Sequence, residues 1–336
     1  MSSCFTLLEL MYLKAKVRSQ DKILNYVRHY PVRTILRSVF FPIELSQKIF
    51  RLLFFTKSSG PKGSEINRKH YKLLHGNQGN YCKIVSEKLE TADSGHDCSK
   101  VNIISDNEKL AIVHSYYREE AIEALNHLKE FHDYDVVVTS PLEDMYALAA
   151  DIIPSERLFF FQTENRGRDV LPFLLVCNYL DIKKYKYFLK FHTKRSSHLS
   201  DGGFWFYQNL YALLGSHTLN SQLLDLIGSD KPVIAGVKSL ELKDHFKQNR
   251  KWLRFLITNI DGIDNGSFIA GTMFLGNKLF LENLQKEKMH ELPFENENGQ
   301  LDGTLAHAIE RFIGYYALLC GGRCVDFEEL FKLRRS

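Results

Sequence analysis

The chain has 336 residues, 44% of them hydrophobic and 25% charged, with a formal net charge of +4. That is an ordinary soluble composition, with enough apolar content for one large domain or a domain plus an appendage. No apolar run reaches the roughly 18 residues of a spanning helix, and the first residues lack the apolar core and small-residue cleavage site of a signal peptide, so neither an integral nor a secreted protein is expected. The six cysteines, Cys4, Cys82, Cys98, Cys177, Cys320 and Cys324, are scattered without paired CxxC spacing, which argues against a disulfide framework or a zinc knuckle and for a reducing, cytoplasmic setting.

Residues 4–55 alternate Phe, Leu and Ile with Lys and Arg, broken at Pro31 and Pro42. Eleven Lys/Arg against three Asp/Glu in residues 1–63 place the positive charge here and leave the remainder net acidic. The spacing predicts a basic amphipathic helical extension over residues 1–55, of the kind that lies on an anionic membrane surface or packs on a partner. Aromatic stacking platforms between the basic residues are not evident, so nucleic acid is not an expected partner. Residues 56–105 are rich in Gly, Ser, Asn and charge and read as a linker or loosely ordered region.

From residue 106 to the end the elements become regular. KLAIVHSYY is a strand, EEAIEALNHLKEF a helix with Ile122, Leu125 and Leu128 on its apolar side, YDVVVTSP a strand and EDMYALAADI a short helix. RLFFFQTEN, DVLPFLLVCNYL and YKYFLKFHT continue as strand, helix, strand. Two helices follow in FWFYQNLYALLGS and SQLLDLIGSD, then a strand in KPVIAGV, a strand or hairpin arm in SFIAGTMFLGN, and a helix in LDGTLAHAIERFIGYYALL entered through Gly303. Such alternation predicts an α/β domain with a mostly parallel sheet covered by helices. Right-handed crossovers would bring HSYYRE, TSPLED, TENRGRD and KFHTKRSSH, each of which follows a strand, to the one sheet edge where open α/β folds bind ligands.

Four constellations carry candidate chemistry. In TENRGRD, residues Asn165, Arg166, Gly167, Arg168 and Asp169 combine a flexible glycine, two guanidinium groups and a helix start, as suits an anion or hydroxyl. An alternative has Asp169 capping the helix and the arginines in solvent. In KFHTK, period-two geometry puts Lys190, His192 and Lys194 on one face of a strand end, with Phe191 and Thr193 on the other. Gly271 and Thr272 interrupt an apolar run, as where a backbone approaches a ligand. Glu295, Glu297 and Asp302 precede a helix, where a carboxylate can serve as a general base or Asp302 can be a helix cap. No Walker A loop, G-x-S-x-G elbow, H-E-x-x-H or G-x-G-x-x-G occurs.

NRGRD followed by Pro172-Phe173, K-x-H-T-K, Trp205 with Leu213-Leu214-Gly215-Ser216, AGTMF and LDGTLAHAIER together make the sequence resemble the rhamnan synthesis protein F family of bacterial cell-surface polysaccharide assembly, over about residues 108–320. The resemblance implies a glycosyltransferase that moves rhamnose or a similar sugar from a nucleotide-sugar donor to a lipid-linked glycan in O-antigen, capsule or rhamnan synthesis. It would work at the inner face of the cytoplasmic membrane beside other assembly enzymes. The competing reading is a non-catalytic glycan-binding or scaffold module. The element order is similar to that of a GT-A (Rossmann-type) transferase, in which the fourth strand ends in a D-x-D that holds a divalent metal. Lys190 to Lys194 stand in that place, which puts a metal requirement in doubt. Under this resemblance Asn165 to Asp169, Lys190, His192, Thr193 and Lys194 bind the donor, Gly271 and Thr272 border the acceptor, and Asp302, with Glu297 as fallback, is the base of an inverting displacement.

Overall fold

The computed structural model describes residues 82–85, 105–193, 202–257 and 266–333. The amphipathic extension expected over residues 1–55, most of the expected linker and Lys194 lie outside the described residues.

The described domain is an α/β sandwich around one eight-stranded sheet. In chain order the strands are β1 (Cys82–Val85), β2 (Lys109–His114), β3 (Tyr134–Ser140), β4 (Leu158–Thr163), β5 (Tyr187–His192), β6 (Val233–Gly236), β7 (Ser239–Glu241), β8 (Ser267–Ile269), β9 (Phe274–Asn277) and β10 (Arg323–Asp326). The helices are α1 (Arg118–Glu130), α2 (Met145–Ala150), α3 (Val170–Tyr179), α4 (Gly202–Leu214), α5 (His217–Ile227), α6 (Arg250–Leu256), α7 (Lys278–Lys286), α8 (Leu305–Leu319) and α9 (Phe327–Leu333).

The main sheet runs β1-β4-β3-β2-β5-β9-β6-β10, while β7 and β8 form a small antiparallel ribbon. The block β4-β3-β2-β5 is parallel, and β6 pairs β10 in parallel. Two strands run the other way: β9, between β5 and β6, and β1, which pairs β4 at the edge. The stretch expected to be a linker thus contains an edge strand, CKIV, too short to stand out from its polar surroundings. SFIAGTMFLGN forms two strands that belong to different sheets, because the glycine and threonine at its centre turn the chain between them.

Apolar side chains fill both faces of the sheet. One cluster lies under α3, α7 and α8 and the other under α1, α4 and α5. Helix α1 buries Ala121, Ala124, Leu125 and Leu128, spaced i, i+3, i+4 and i+7, whereas Ile122 points outward and is 40% exposed. Position 122 lies off that buried face, so Ile122 is left in solvent. At the opposite sheet edge the buried Asp135 carboxylate accepts from Tyr185 Oη at 2.7 Å, Asn107 Nδ2 at 2.9 Å, Lys184 Nζ at 3.0 Å and Ser105 Oγ. That set of donors stabilises a charge that would otherwise be costly to bury.

Helix α8 crosses the β8 ribbon at Gly314, where an added Cβ would lie 2.3 Å from the Ser267 carbonyl oxygen and 2.4 Å from Phe268 Cα. These are backbone atoms and cannot turn aside. Gly314→Ala is expected to lower stability by about 1–3 kcal/mol despite alanine's better helix propensity, and urea unfolding checks this.

Candidate functional site at the carboxyl edge of the sheet

The chain proceeds from β2 outward through β3 to β4, then returns to place β5 on the other side of β2. The crevice between the carboxyl ends of β2 and β5 is therefore the topological switch point of the sheet, where ligands of open α/β folds bind. His114 and His192 are register partners there, and the Thr193 amide donates to the His114 carbonyl at 3.0 Å. The Thr193 hydroxyl, expected to face a donor, accepts from the amides of Tyr116 at 2.8 Å and Tyr117 at 3.0 Å, and so fixes the approach to α1.

Lys190 and His192 share one face of β5, as period-two geometry requires, and both meet Asp169. Lys190 Nζ lies 2.5 Å from Asp169 Oδ2 and donates to the Thr272 carbonyl at 2.9 Å. His192 Nδ1 lies 3.3 Å from the same oxygen, and the Thr272 hydroxyl donates to it at 2.6 Å. The ammonium packs beside the rings of Phe173 and Phe274, at 5.5 and 6.0 Å from their centroids. Asp169 occupies the N-cap position of α3, yet its side chain makes no capping bond, because the carboxylate is turned toward Lys190. Burial by itself would raise the Asp169 pKa, but His192, Lys190 and the Thr272 hydroxyl together hold it well below the carboxylate range.

The turn that supplies Thr272 is strained. Gly271 has φ +77° and Thr272, a β-branched residue, φ +49°, a conformation that costs about 1–3 kcal/mol and persists only where its surroundings hold it. The holding groups are Asp169 and Lys190 on Thr272, together with Glu310 of α8, whose Oε1 accepts from the Gly271 amide at 2.9 Å. Trp205 closes the other side: a Cβ at position 271 would lie 2.9 Å from its indole nitrogen.

The NRGRD loop is braced by the acidic loop before α8. Gly167 has φ +63° and no room for a side chain, since a Cβ would meet Leu171 and the Phe294 ring at 2.6–2.7 Å. Arg166 forms a backbone bridge with Asn296, and its side chain pairs with Glu164 at 3.4 Å. Arg168 donates to the Gln300 carbonyl and pairs with Glu297 at 3.5 Å. Asn165 is exposed. The Glu297 pKa is raised, by burial first, with Asp169 and Glu295 adding to the rise and Arg168 opposing it.

At the start of α8 the N-cap is Thr304, in a capping box with His307, and Glu295 accepts from the Leu305 amide at 2.9 Å. Asp302 therefore is not the cap. Its Oδ1 accepts from Asn249 Nδ2 at 2.8 Å and lies 3.3 Å from Arg311 Nη2. Burial tends to raise its pKa, but Asn249 and Arg311 prevail and the result is a lowered value.

The structure therefore brings Asp169, Lys190, His192, Thr272 and the Arg168–Glu297 pair to one edge. Glu310 shares a face of α8 with His307 three residues before it, a pair with too few ligands for a metal site, and His114 opens the HSYYRE segment expected at this edge; the sequence by itself gives neither residue a role. His114 is buried, its Nδ1 lies 3.0 Å from the Thr139 hydroxyl, and its pKa is lowered to about 4, by burial first and then by Lys190, with Asp169 opposing.

A mostly parallel sheet flanked by helices, with polar segments gathered along its carboxyl edge, makes this an open-sheet α/β domain. Residues 94–320, about two thirds of the chain, match the rhamnan synthesis protein F family, and the chain belongs to that family. Two proteins called "Uncharacterized protein WxcX", from two strains of Xanthomonas campestris pv. campestris, are 36% identical over 181 residues and 37% identical over 179. Each match covers 52% of this chain but 26% of the relative, so the matched region is about a quarter of those longer proteins. No solved structure matches the chain. Among the described residues no helix is long and apolar enough to cross a membrane. The family is one of rhamnan and polysaccharide synthesis.

Two predictions follow from this geometry. His114, His290 and His307 all have pKa values lowered from 6.5 to about 4, with burial the largest cause. Between those pH values the unfolded chain binds more protons than the folded one, so stability is expected to fall as pH drops from about 6.5 toward 4. His114→Gln should flatten that dependence in urea unfolding at stepped pH. Thr272→Val keeps the strain and deletes the hydroxyl that binds Asp169, and should lose about 1–3 kcal/mol in the same assay. Thr272→Gly relieves the strain as well and should stay closer to wild type.

Proposed function

We propose that this protein is an inverting glycosyltransferase that moves a sugar, rhamnose or similar, from a nucleotide donor to a lipid-linked glycan during surface polysaccharide synthesis. One observation carries the reading: NRGRD, K-x-H-T, AGT and the segment before α8, far apart in sequence and all part of the family resemblance, converge on one sheet edge through Asp169–Lys190–Thr272 and Arg168–Glu297. The reversed β9 inside an otherwise parallel run also agrees with a GT-A sheet. The family membership agrees with the setting.

In this mechanism the acceptor hydroxyl oxygen attacks the anomeric carbon as the bond to the donor diphosphate breaks. The bonding electron pair leaves on the diphosphate, and the hydroxyl proton passes to a carboxylate. Glu297 suits that last role better than Asp302. Its raised pKa makes it the stronger proton acceptor, while Asn249 and Arg311 hold Asp302 in its ionised form and weaken it as a base. Asp302 then orients the entry to α8. Arg166, Arg168, Lys194 and the amides that open α3 are the groups for the diphosphate. Lys190 acts through Asp169, and Gly271–Thr272 borders the acceptor. A basic amphipathic extension would hold the protein at the inner membrane face near its lipid-linked acceptor.

Transfer from a panel of nucleotide sugars to lipid-linked glycan, with and without EDTA, tests this reading. Glu297→Gln is expected to lose about 10²–10⁴ in kcat and Asp302→Asn much less; the reverse order would return the base to Asp302. EDTA-resistant turnover would support phosphate neutralisation by fixed cations, and EDTA-sensitive turnover a bound metal. Absence of turnover with every donor would favour the scaffold reading. Deleting residues 4–55 is expected to release the protein from anionic vesicles.

A further inference from the structure

The sequence leads one to expect a cationic cradle at the end of β5, but Lys190 is spent on a carboxylate. Lys190 is only 2% exposed in its side chain, whereas Asp169 keeps 14%. Lys190 Nζ, the Thr272 hydroxyl and His192 Nδ1 all approach one carboxylate oxygen, Oδ2. Among the described residues nothing donates to the other, Oδ1, and no amide of α3 is capped by it. A carboxylate held ionised by Lys190, His192 and a hydroxyl, with one oxygen committed to all three, keeps a second oxygen that can accept from a ligand.

Phosphate does not fit it. A diphosphate oxygen brought to Oδ1 would set two anions in contact, at a point where Lys190 is already neutralised. The ligand chemistry that fits is a neutral hydroxyl, which can donate to a carboxylate over a short charge-assisted bond. Such an ionised acceptor is also a poor base, since its pKa is held so low, so it binds the hydroxyl without deprotonating it.

We propose that Asp169 is the sugar-binding carboxylate of this site, receiving a ring hydroxyl of the donor sugar through Oδ1, with Lys190, Thr272 and His192 as its positioning residues. This rests on the transferase reading and deepens it: the edge recognises the sugar and not only the nucleotide. Glu310 enters as an indirect support, since it holds the Gly271 amide and with it the turn that aims the Thr272 hydroxyl. The positive φ at Thr272 has a purpose in this scheme, because in that turn its hydroxyl reaches Asp169 and its carbonyl reaches Lys190.

The test is the ratio of affinities for dTDP and dTDP-rhamnose, with UDP and UDP-glucose as a second pair, measured by calorimetry on the full chain. Asp169→Ala alone would strand a buried ammonium and endanger the fold, so it is combined with Lys190→Met, which fills the space between Phe173 and Phe274. In wild type the sugar is expected to tighten binding about tenfold to a hundredfold over the bare diphosphate, the range of one charge-assisted hydrogen bond. In Asp169→Ala/Lys190→Met that ratio should collapse toward one. A measurement on the unaltered protein needs no variant: among donors deoxygenated in turn at each ring position, one should lose the same factor. A double variant that keeps the ratio, or a deoxy series in which every member binds as the parent does, overturns the Asp169 proposal while leaving the transferase reading in place. Failure of wild type to bind any nucleotide or nucleotide sugar would overturn both.

Discussion

A buried ion pair, Lys190 with Asp169, is the contact on which the carboxyl edge of this protein depends. Removing either charge from water is expensive, and mutual attraction offsets that cost only where the geometry is good and the remaining hydrogen-bonding capacity is met. Here the ammonium donates to both Asp169 and the Thr272 carbonyl and rests beside two phenylalanine rings, while the carboxylate gathers the Thr272 hydroxyl and His192. Each partner is stranded without the other.

Because these groups come from β5, the start of α3 and the turn before β9, the pair acts as a brace across the sheet edge. It explains why a threonine is tolerated at positive φ, and it uses up the lysine most prominent in sequence. A second brace, from Arg168 to Glu297 and the Gln300 carbonyl, ties the same NRGRD loop to the approach to α8. The NRGRD loop and Glu297 are thereby set against each other by protein contacts, the kind of preorganisation that the proposed transfer would require.

Much of the scaffold was legible from local pattern. Strand and helix alternate with clear periods from β2 to α5, and the apolar runs of β3 and α3 left no other reading. What local pattern misjudged were choices made by neighbours. Ile122 faces solvent because the buried face of α1 runs through Ala121, Ala124, Leu125 and Leu128, and position 122 lies off it. Asp169 and Asp302 sit where helix caps sit, yet the first is drawn to Lys190 and the second to Asn249 and Arg311, leaving Thr304 to cap α8. Thr193, expected at the donor, is used up on the amides of Tyr116 and Tyr117.

By itself the sequence determined the α/β class, the edge at which the polar segments collect, and the face shared by Lys190 and His192, since all three follow from periodicity, crossover handedness and the alternation of side chains along a strand. Only the tertiary structure decided that β9 runs against its neighbours, that Glu310 holds the turn before β9, and that Lys190 is spent on Asp169. Those outcomes depend on contacts between residues tens to more than a hundred positions apart, and on which of several possible partners desolvates a charged group; neither is encoded in any window of neighbouring residues.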